Sequence, residues 1–445
     1  MKCNTAFQFF PLSENYDAHY TRFLEGDLGK IYSAIDWDDL VTTLNITEQK
    51  KGRNYLFSPK GRLGLMFLKH YANCSDRKMI EQLNSNLDYQ FFCDIELGFE
   101  RLTNYKIISQ IRCELAEKLD INLVEKVLFN SWKNHIDSTD QIVMDATCYE
   151  SEVRYPTIQK LLWESVHWLY NQLRKTCSIL GTKMIRSRYN KWKKRYQGFS
   201  KMRRKTKSKR TSLTRALLKL LSKFIDFEKE LSKAYNIEFK PLYYKRIDTI
   251  QRIYKQQKDH FDTGEKIKDR IVSIHKDYIR PIVRGKEVKP VEFGAKVNKV
   301  QIDGISFIEH INFNAFHEGN RFIQTVQKAQ GLTRKKVKVA GGDKIYATNK
   351  NRTYSSSKTI QTDFIPKGRK PKNHKEKKQL RAIIAKERAT RLEGSFGKDK
   401  EHYHLRKIKA KTKKNEILWI FFGIHTGNAL EIGRRKIAQT DQQIA

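Results

Sequence analysis

Apolar positions along the chain change period several times, and each change marks a different kind of element. From Pro59 to about Leu119 the spacing is helical. Leu63, Leu65, Met66, Phe67 and Leu68 form one apolar cluster, with Tyr71 three residues beyond it. Ser75-Asp76-Arg77 reads as a helix start, with Ser75 as N-cap and Asp76 in the first turn. Met79, Ile80 and Leu83 give that helix an apolar face. Thr103 is a candidate cap for a further helix carrying Ile107, Ile108 and Ile111. Short helices joined by short turns suit either a helix-turn-helix-like module or a plain helical packing domain. Residues 1–55 show no decisive period.

Gln141–Thr147 (QIVMDAT) is a short apolar run that reads as a buried strand with Asp145 near its end. From Thr157 to about Asp269 the chain is polar, nearly free of Gly and Pro, and helical in period. From Arg270 the character becomes β-branched and aromatic. Arg270–Ile274, Arg280–Val283, Val291–Ile302 and Ile305–Phe313 read as successive, mainly antiparallel strands. Glu318–Gln330 returns to helix. Lys335–Ala340 alternates charged and apolar residues as a strand does, ending at Gly341-Gly342-Asp343. Thr362–Pro366 reads as a further strand, Lys375–Phe396 as one long polar helix and Ile417–Ile432 as a final apolar helix. This order predicts an α/β fold, a mixed sheet flanked by helices. An all-α domain over 1–135 precedes it, the sheet domain takes 136–156 and 270–435, and 157–269 is a helical insertion after the first strand.

Charge sharpens the picture. In 445 residues, 88 Lys and Arg face 49 Asp and Glu, a net charge of +39. A compact chain with that excess repels itself unless a polyanion neutralises it, and nucleic acid is the usual polyanion. The excess is concentrated: Lys183–Lys223 holds 17 Lys or Arg and no acid, with Tyr189, Trp192, Tyr196 and Phe199 interleaved. Lys193, Lys194, Arg195, Arg203, Arg204 and Lys205 are its candidate phosphate contacts. Cys3, Cys74, Cys93, Cys113, Cys148 and Cys177 form no Cys-x-x-Cys pair and fit no zinc spacing, so they read as free thiols of a reducing cytosol. The longest apolar stretch, Ile417–Ile424, is far shorter than a membrane helix needs, and no secretory leader is apparent. A soluble cytoplasmic protein, associated with the nucleoid, is expected. No phosphate-binding Gly-Lys loop occurs, so ATP dependence is not expected.

Phosphodiester chemistry needs hard divalent cations held by carboxylates that rigid elements bring together from distant parts of a chain. Asp145 at a strand end, Asp343 after two glycines, and Glu393 among Arg388, Arg391, Lys398 and Lys400 stand out by context. Asp303, Glu309, Glu150 and Glu152 compete with them on the same grounds. His402, His404 and His425 receive no catalytic role, and Cys148 reads as a small buried side chain.

Five segments share one resemblance. VMDATCYESEVRYPT (143–157), the stretch 270–296 containing RIVSIHKDYIRPIV and VEFGAK, DKIYATNKNRTY (343–354) and LEGSFGKDKEHYHLRKIKAK (392–411) resemble the catalytic motifs of DDE transposases from bacterial insertion sequences. SDRKMIEQLNSNLDYQFF (75–92) resembles their InsH-like N-terminal domain. The resemblance implies a ribonuclease-H-like catalytic fold, with Asp145 on the first strand, Asp343 after the fourth and Glu393 on a late helix. It further implies two Mg²⁺ or Mn²⁺ ions held by those acids, and cleavage at transposon ends followed by strand transfer. The implied partner is double-stranded DNA, both terminal inverted repeats and target, bound by a homodimer. Many relatives with a related core place a Tyr and an Arg one to two turns before the glutamate and a Lys two turns after it. Lys400 fits the last place, whereas Ala389 stands four residues before Glu393, with Arg388 and Arg391 on either side. Lys398, Lys400 and Arg406 are further candidate DNA contacts. A non-catalytic DNA-binding relative and a nuclease of the same fold are the competing readings.

Overall fold

The computed structural model describes residues 12–47, 56–98, 100–283, 290–368 and 374–444. Cys3 and the RGK at 284–286 that ends the motif stretch RIVSIHKDYIRPIVRGK lie outside them. The chain divides into two compact units. The first comprises 1–151, 295–312 and 316–445; the second comprises 152–294 and 313–315. The segment 270–294, which the sequence pattern groups with the sheet, counts with the helical unit.

In the first unit, eight helices precede the sheet, from Leu12–Glu25 to Ile121–Trp132. Ser75 caps the helix Asp76–Leu83 as its sequence predicts, accepting from the Lys78 N–H. Thr103 is not a cap: the next helix starts at Lys106, after Tyr105. The helix Pro59–Tyr71 is buried from Gly61 to His70, charged residues included. Arg62 reaches Glu114 at 2.8 Å and the Thr47 carbonyl, and Lys69 pairs with Asp76 at 3.0 Å. A helix buried all round packs rather than reads a groove, and its neighbour Asp76–Leu83 is the one with an exposed polar face.

The strands are β1 (Gln141–Ser151), β2 (Pro281–Val283), β3 (Val291–Ile302), β4 (Ile305–Asn312), β5 (Val339–Gly342), β6 (Gln361–Thr362) and β7 (Lys407–Ile408). The sheet runs β3-β1-β5-β6, with β4 antiparallel on β3 and β7 parallel to the far end of β1. β1, β5 and β6 are mutually parallel. Three expected strands change. Arg270–Ile274 is irregular, because side chains satisfy its backbone: Gln256 accepts from Ile271 and Ser273 from Lys276. Lys335–Ala340 starts its strand only at Val339, since Thr333 holds the Lys335 N–H at the preceding helix end. Thr362–Pro366 shrinks to the two residues of β6. Lys375–Phe396 is not one regular helix but an α-helix to Glu387, a π-turn over Arg388–Leu392 and a new α-helix from Glu393 to Glu401.

The second unit is helical, as its period predicts: Ile158–Ile179, Tyr189–Lys201, Lys207–Tyr235 and Pro241–Thr263. Leu162, Val166, Leu169, Leu217, Leu221, Phe224, Ile250 and Ile253 are its fully buried centre. Lys193, Lys194, Arg203 and Arg204 are exposed around it. Arg195 donates to Ser212 and lies over Trp192, and Lys205 donates to the Met202 carbonyl. Among the described residues, no helix of the chain is long and apolar enough to cross a membrane.

The first unit is tied together at Glu125, whose carboxylate is fully buried. It accepts from the Ile308 N–H on β4 at 2.7 Å, meets Lys328 at 2.6 Å and His425 Nε2 at 3.1 Å. One side chain therefore joins the N-terminal helices, the sheet, the helix Phe322–Thr333 and the C-terminal helix. Glu125→Leu strands a buried N–H and a cation, so it is expected to cost about 3 kcal/mol or more. Urea unfolding checks this, and a loss below 1 kcal/mol refutes the assignment.

Candidate active site

Alternate residues of β1 share one face, and on β1 that is the odd-numbered face. Val143 packs with Ile384 and Leu392. Thr147 accepts from Lys400 at 3.0 Å, and the Tyr149 hydroxyl donates to Asp399 at 2.5 Å. The segment 374–401 therefore lies along this face, and Asp145 belongs to it. Asp145 is mid-strand rather than terminal, because β1 runs on to Ser151, where it pairs with β7.

Register brings the second acid alongside. Met144 pairs with Gly342, the last residue of β5, so Asp145 and Asp343 each stand one residue beyond that pair. The two glycines before Asp343 are explained by crowding. A Cβ on Gly341 would stand 2.1 Å from Ile384 Cγ2, and one on Gly342 would stand 2.9 Å from the Tyr346 ring. Asp343 is extended and caps the turn Lys344–Tyr346 through the Lys344 N–H, which leaves its side chain about half exposed. Tyr346 and Asn351 brace that turn, through Asn298 at 2.6 Å and the Gly319 carbonyl at 2.6 Å.

Glu393 arrives from the facing helix, about half exposed. The π-turn before it settles which arginine stands near it. Residues five apart on a regular α-helix are separated by about 140° of rotation, but one extra residue in the turn returns them to one face. Arg388 thus comes within 3.7 Å of Glu393 Oε1 and 3.8 Å of Asp343 Oδ1. Arg391 is directed elsewhere, to Asp303 at 3.0 Å and Glu387 at 3.2 Å. Seven residues past Glu393, Lys400 falls on the same stripe. Lys398 does not; with Arg391 it lines a separate cleft beside Arg434 and Arg435. Arg406 is exposed and reaches only Glu401, at 3.4 Å.

Burial pushes the Asp145 carboxyl up to about 6, with Glu318 and Asp343 adding to the rise and the Ala146 N–H and Arg388 opposing it. Asp363, one residue beyond β6, behaves alike. Burial and Asp343 raise it to about 6, while the Gly342 N–H, 3.3 Å from both its oxygens, and Arg388 pull it down. The motif reading missed Asp363 and Glu318. The adjoining β-branched strand pattern at Thr362 was the only signal for the first. Two of the four competing acids are occupied structurally: Asp303 by Arg391 and Arg435, Glu309 by Arg321 and Asn298.

The acids offer oxygen donors alone, which suits a hard divalent cation. Their mutual repulsion, visible at Asp145 and Asp363, is what such a cation would relieve. Among the described residues, however, no three acid, His or Cys side chains are gathered closely enough to hold an ion together. Arg388 is the cation that stands among them. Among the described residues Cys74, Cys93, Cys113, Cys148 and Cys177 form no disulfide, and Cys148 is buried as its context predicts.

Two family models match the chain. One, described as a transposase domain (DUF772), covers residues 19–114, and the other, a transposase DDE domain, covers 341–422. No curated protein and no solved structure matches. Both matches are to transposase domains, in the order expected of the DDE, insertion-sequence type that the motif resemblance implies. Asp343 and Glu393 fall inside the second span; Asp145 lies outside both.

An acid whose folded-state pKa is raised holds its proton more tightly when folded. It therefore destabilises the fold above that pKa, and the penalty fades as pH falls toward the unfolded value near 4. In chelator, Asp145→Asn is expected to melt higher than the wild type at pH 7.5, by an amount on the order of 2 kcal/mol. The two should converge at pH 4. Parallel melting curves from pH 4 to 8 would contradict the raised Asp145.

Proposed function

We propose that this transposase cleaves the phosphodiester bonds at the ends of its element and joins the freed 3′-hydroxyls to target DNA, with Asp145, Asp343 and Glu393 as its metal-holding acids. The observation that supports the reading is that Asp145 and Asp343 each follow the Met144–Gly342 pair, while Arg388 stands 3.8 Å from Asp343 and 3.7 Å from Glu393. The sheet order supports a ribonuclease-H-like fold for the first unit. With β2 left to the second unit, Asp343 follows the fourth strand.

Asp145, Asp343 and Glu393 would hold two Mg²⁺ or Mn²⁺ ions, which supply an activated attacking oxygen and stabilise the leaving oxygen. The chain itself performs the rest. β1 and β5 fix two carboxylates at sheet spacing. Lys400, tethered to Thr147, sets a cation two turns from Glu393, within reach of a backbone phosphate. Arg388 is the arginine suited to a phosphate beside the acids. Lys193, Lys194, Arg195, Arg203, Arg204 and Lys205 hold DNA backbone without reading its sequence. Arg391, Lys398 and Arg406 contact phosphates away from the acids. The N-terminal helices recognise terminal repeats, and two copies of the chain bring two ends together.

On labelled element-end DNA, Mg²⁺-dependent nicking is expected to fall at least a hundredfold in Asp145→Asn, Asp343→Asn and Glu393→Gln, with binding in chelator retained. Wild-type nicking by Asp145→Asn excludes the mechanism. Pre-cut ends then separate a transposase from a nuclease, since only the former joins them to a second duplex. Replacing Lys193, Lys194, Arg203 and Arg204 together by Gln is expected to weaken binding to all sequences alike. Each lost phosphate contact should flatten the plot of log affinity against log salt by roughly 0.9. An unchanged slope would place the DNA elsewhere.

A further inference from the structure

Arg388 is bound unlike Arg391 and Arg435. Arg391 and Arg435 each make hydrogen-bonded ion pairs, to Asp303 at 3.0 and 2.9 Å. Arg388 makes none. Its Nε is buried without a hydrogen-bond partner, and its nearest acids, Asp343 and Glu393, stand 3.8 and 3.7 Å away on different elements. A guanidinium is built for a planar, two-pronged grip on one carboxylate. Here it forgoes that grip and stands between two acids, while its charge also reaches Asp145 and Asp363.

The placement depends on the π-turn. Were Arg388–Leu392 a regular α-helix, holding Ile384 against Val143 would rotate Leu392 by about 80° away from that strand. Both are buried against it. The inserted residue lets both pack and, by the same rotation, turns Arg388 onto the Glu393 face. An irregular turn at this position is thus what delivers a lone cation to the acids.

We propose that Arg388 is a positioning residue serving as the site's resident counterion. It balances Asp343 and Glu393 in the metal-free protein, and it competes with a divalent cation for them. This rests on the metal-holding reading of the acids. The loose distances serve that role. A guanidinium locked by short bonds would have to break them before a cation entered, whereas one held by charge alone yields its acids at low cost. Removing it should make the acids bind a cation more tightly, which simple damage to the site would not do.

The test uses the full chain without DNA and Mn²⁺ alone, read by titration calorimetry at pH 7.5. Arg388→Met is expected to bind Mn²⁺ at least threefold tighter than the wild type, and Arg388→Lys, which keeps the charge, close to the wild type. Nicking by Arg388→Met should fall even as its Mn²⁺ affinity rises. Equal or weaker Mn²⁺ binding by Arg388→Met overturns the proposal; if that variant does not fold, Arg388→Gln takes its place under the same criterion. Asp145→Asn separates the two readings. Should it bind Mn²⁺ as the wild type does, the metal assignment itself fails. Should it lose Mn²⁺ while Arg388→Met shows no gain, only the counterion role fails.

Discussion

Acidic side chains converging on one partly buried edge of the sheet are the constraint around which the first unit is arranged. Asp145 and Asp343 each stand one residue beyond the Met144–Gly342 pair, Asp363 is fastened to the peptide just before Asp343, and Glu318 adds its field to Asp145. Like charges under a reduced dielectric repel one another, and a cation standing between them lowers that repulsion. The fold does not spread the acids to avoid this. It keeps them near one edge and supplies a single guanidinium. In open sheets with parallel strands, ligands bind beyond the carboxyl ends of the strands, where loops leave the layer. The acids leave β5 and β6 at that edge, with Asp145 alongside.

The scaffold that keeps them there is covalently short and non-covalently rigid. Gly341 and Gly342 let a helix side chain and a tyrosine ring close directly onto the strand, so β5 cannot drift from the helix above it. The Tyr346 hydroxyl and the Asn351 amide fix the turn after Asp343 to the neighbouring strand and to the Gly319 carbonyl. The side chains of Asp343 and Glu393 remain about half exposed on this scaffold. Backbone rigidity with such carboxylate ends suits a site that must accept an ion.

Much of this was legible in the sequence where the pattern was long and regular. The helices of 157–269, the strands Val291–Ile302 and Ile305–Asn312, and the cap at Ser75 follow from periodicity and capping chemistry. Short elements were legible only in outline: strands expected at Lys335–Ala340 and Thr362–Pro366 form as β5 and β6 with other bounds, and β7 had no signal, because such strands owe their form to their neighbours as well as to propensity. Arg270–Ile274 failed for the converse reason: its residues favour strand, yet side-chain acceptors took its N–H groups first. At the site, Asp145, Asp343 and Glu393 were reachable through motif and context. Asp363 was not, since a lone aspartate after a two-residue strand carries no pattern of its own. Nor was the π-turn, so residue counting alone left Arg388 and Arg391 equivalent.

Counting on a helix assumes a constant rotation per residue, and the segment 374–401 breaks that assumption at the one place where it matters. Its register is not free to relax, because polar ties hold both sides of it. Below Glu393, Asp399 takes the Tyr149 hydroxyl from β1 and the buried Lys299 ammonium from β3, and Lys400 holds Thr147. Above it, Ile384 is wedged on Gly341. A purely apolar contact would tolerate a shift of one residue at modest cost, whereas a buried ammonium and carboxylate must meet or leave charge stranded. The ties therefore fix which residue faces Asp145, and the extra residue between them is absorbed as a π-turn. The turn is the geometric consequence of two anchored ends with one residue too many, and its product is a cation facing the acids.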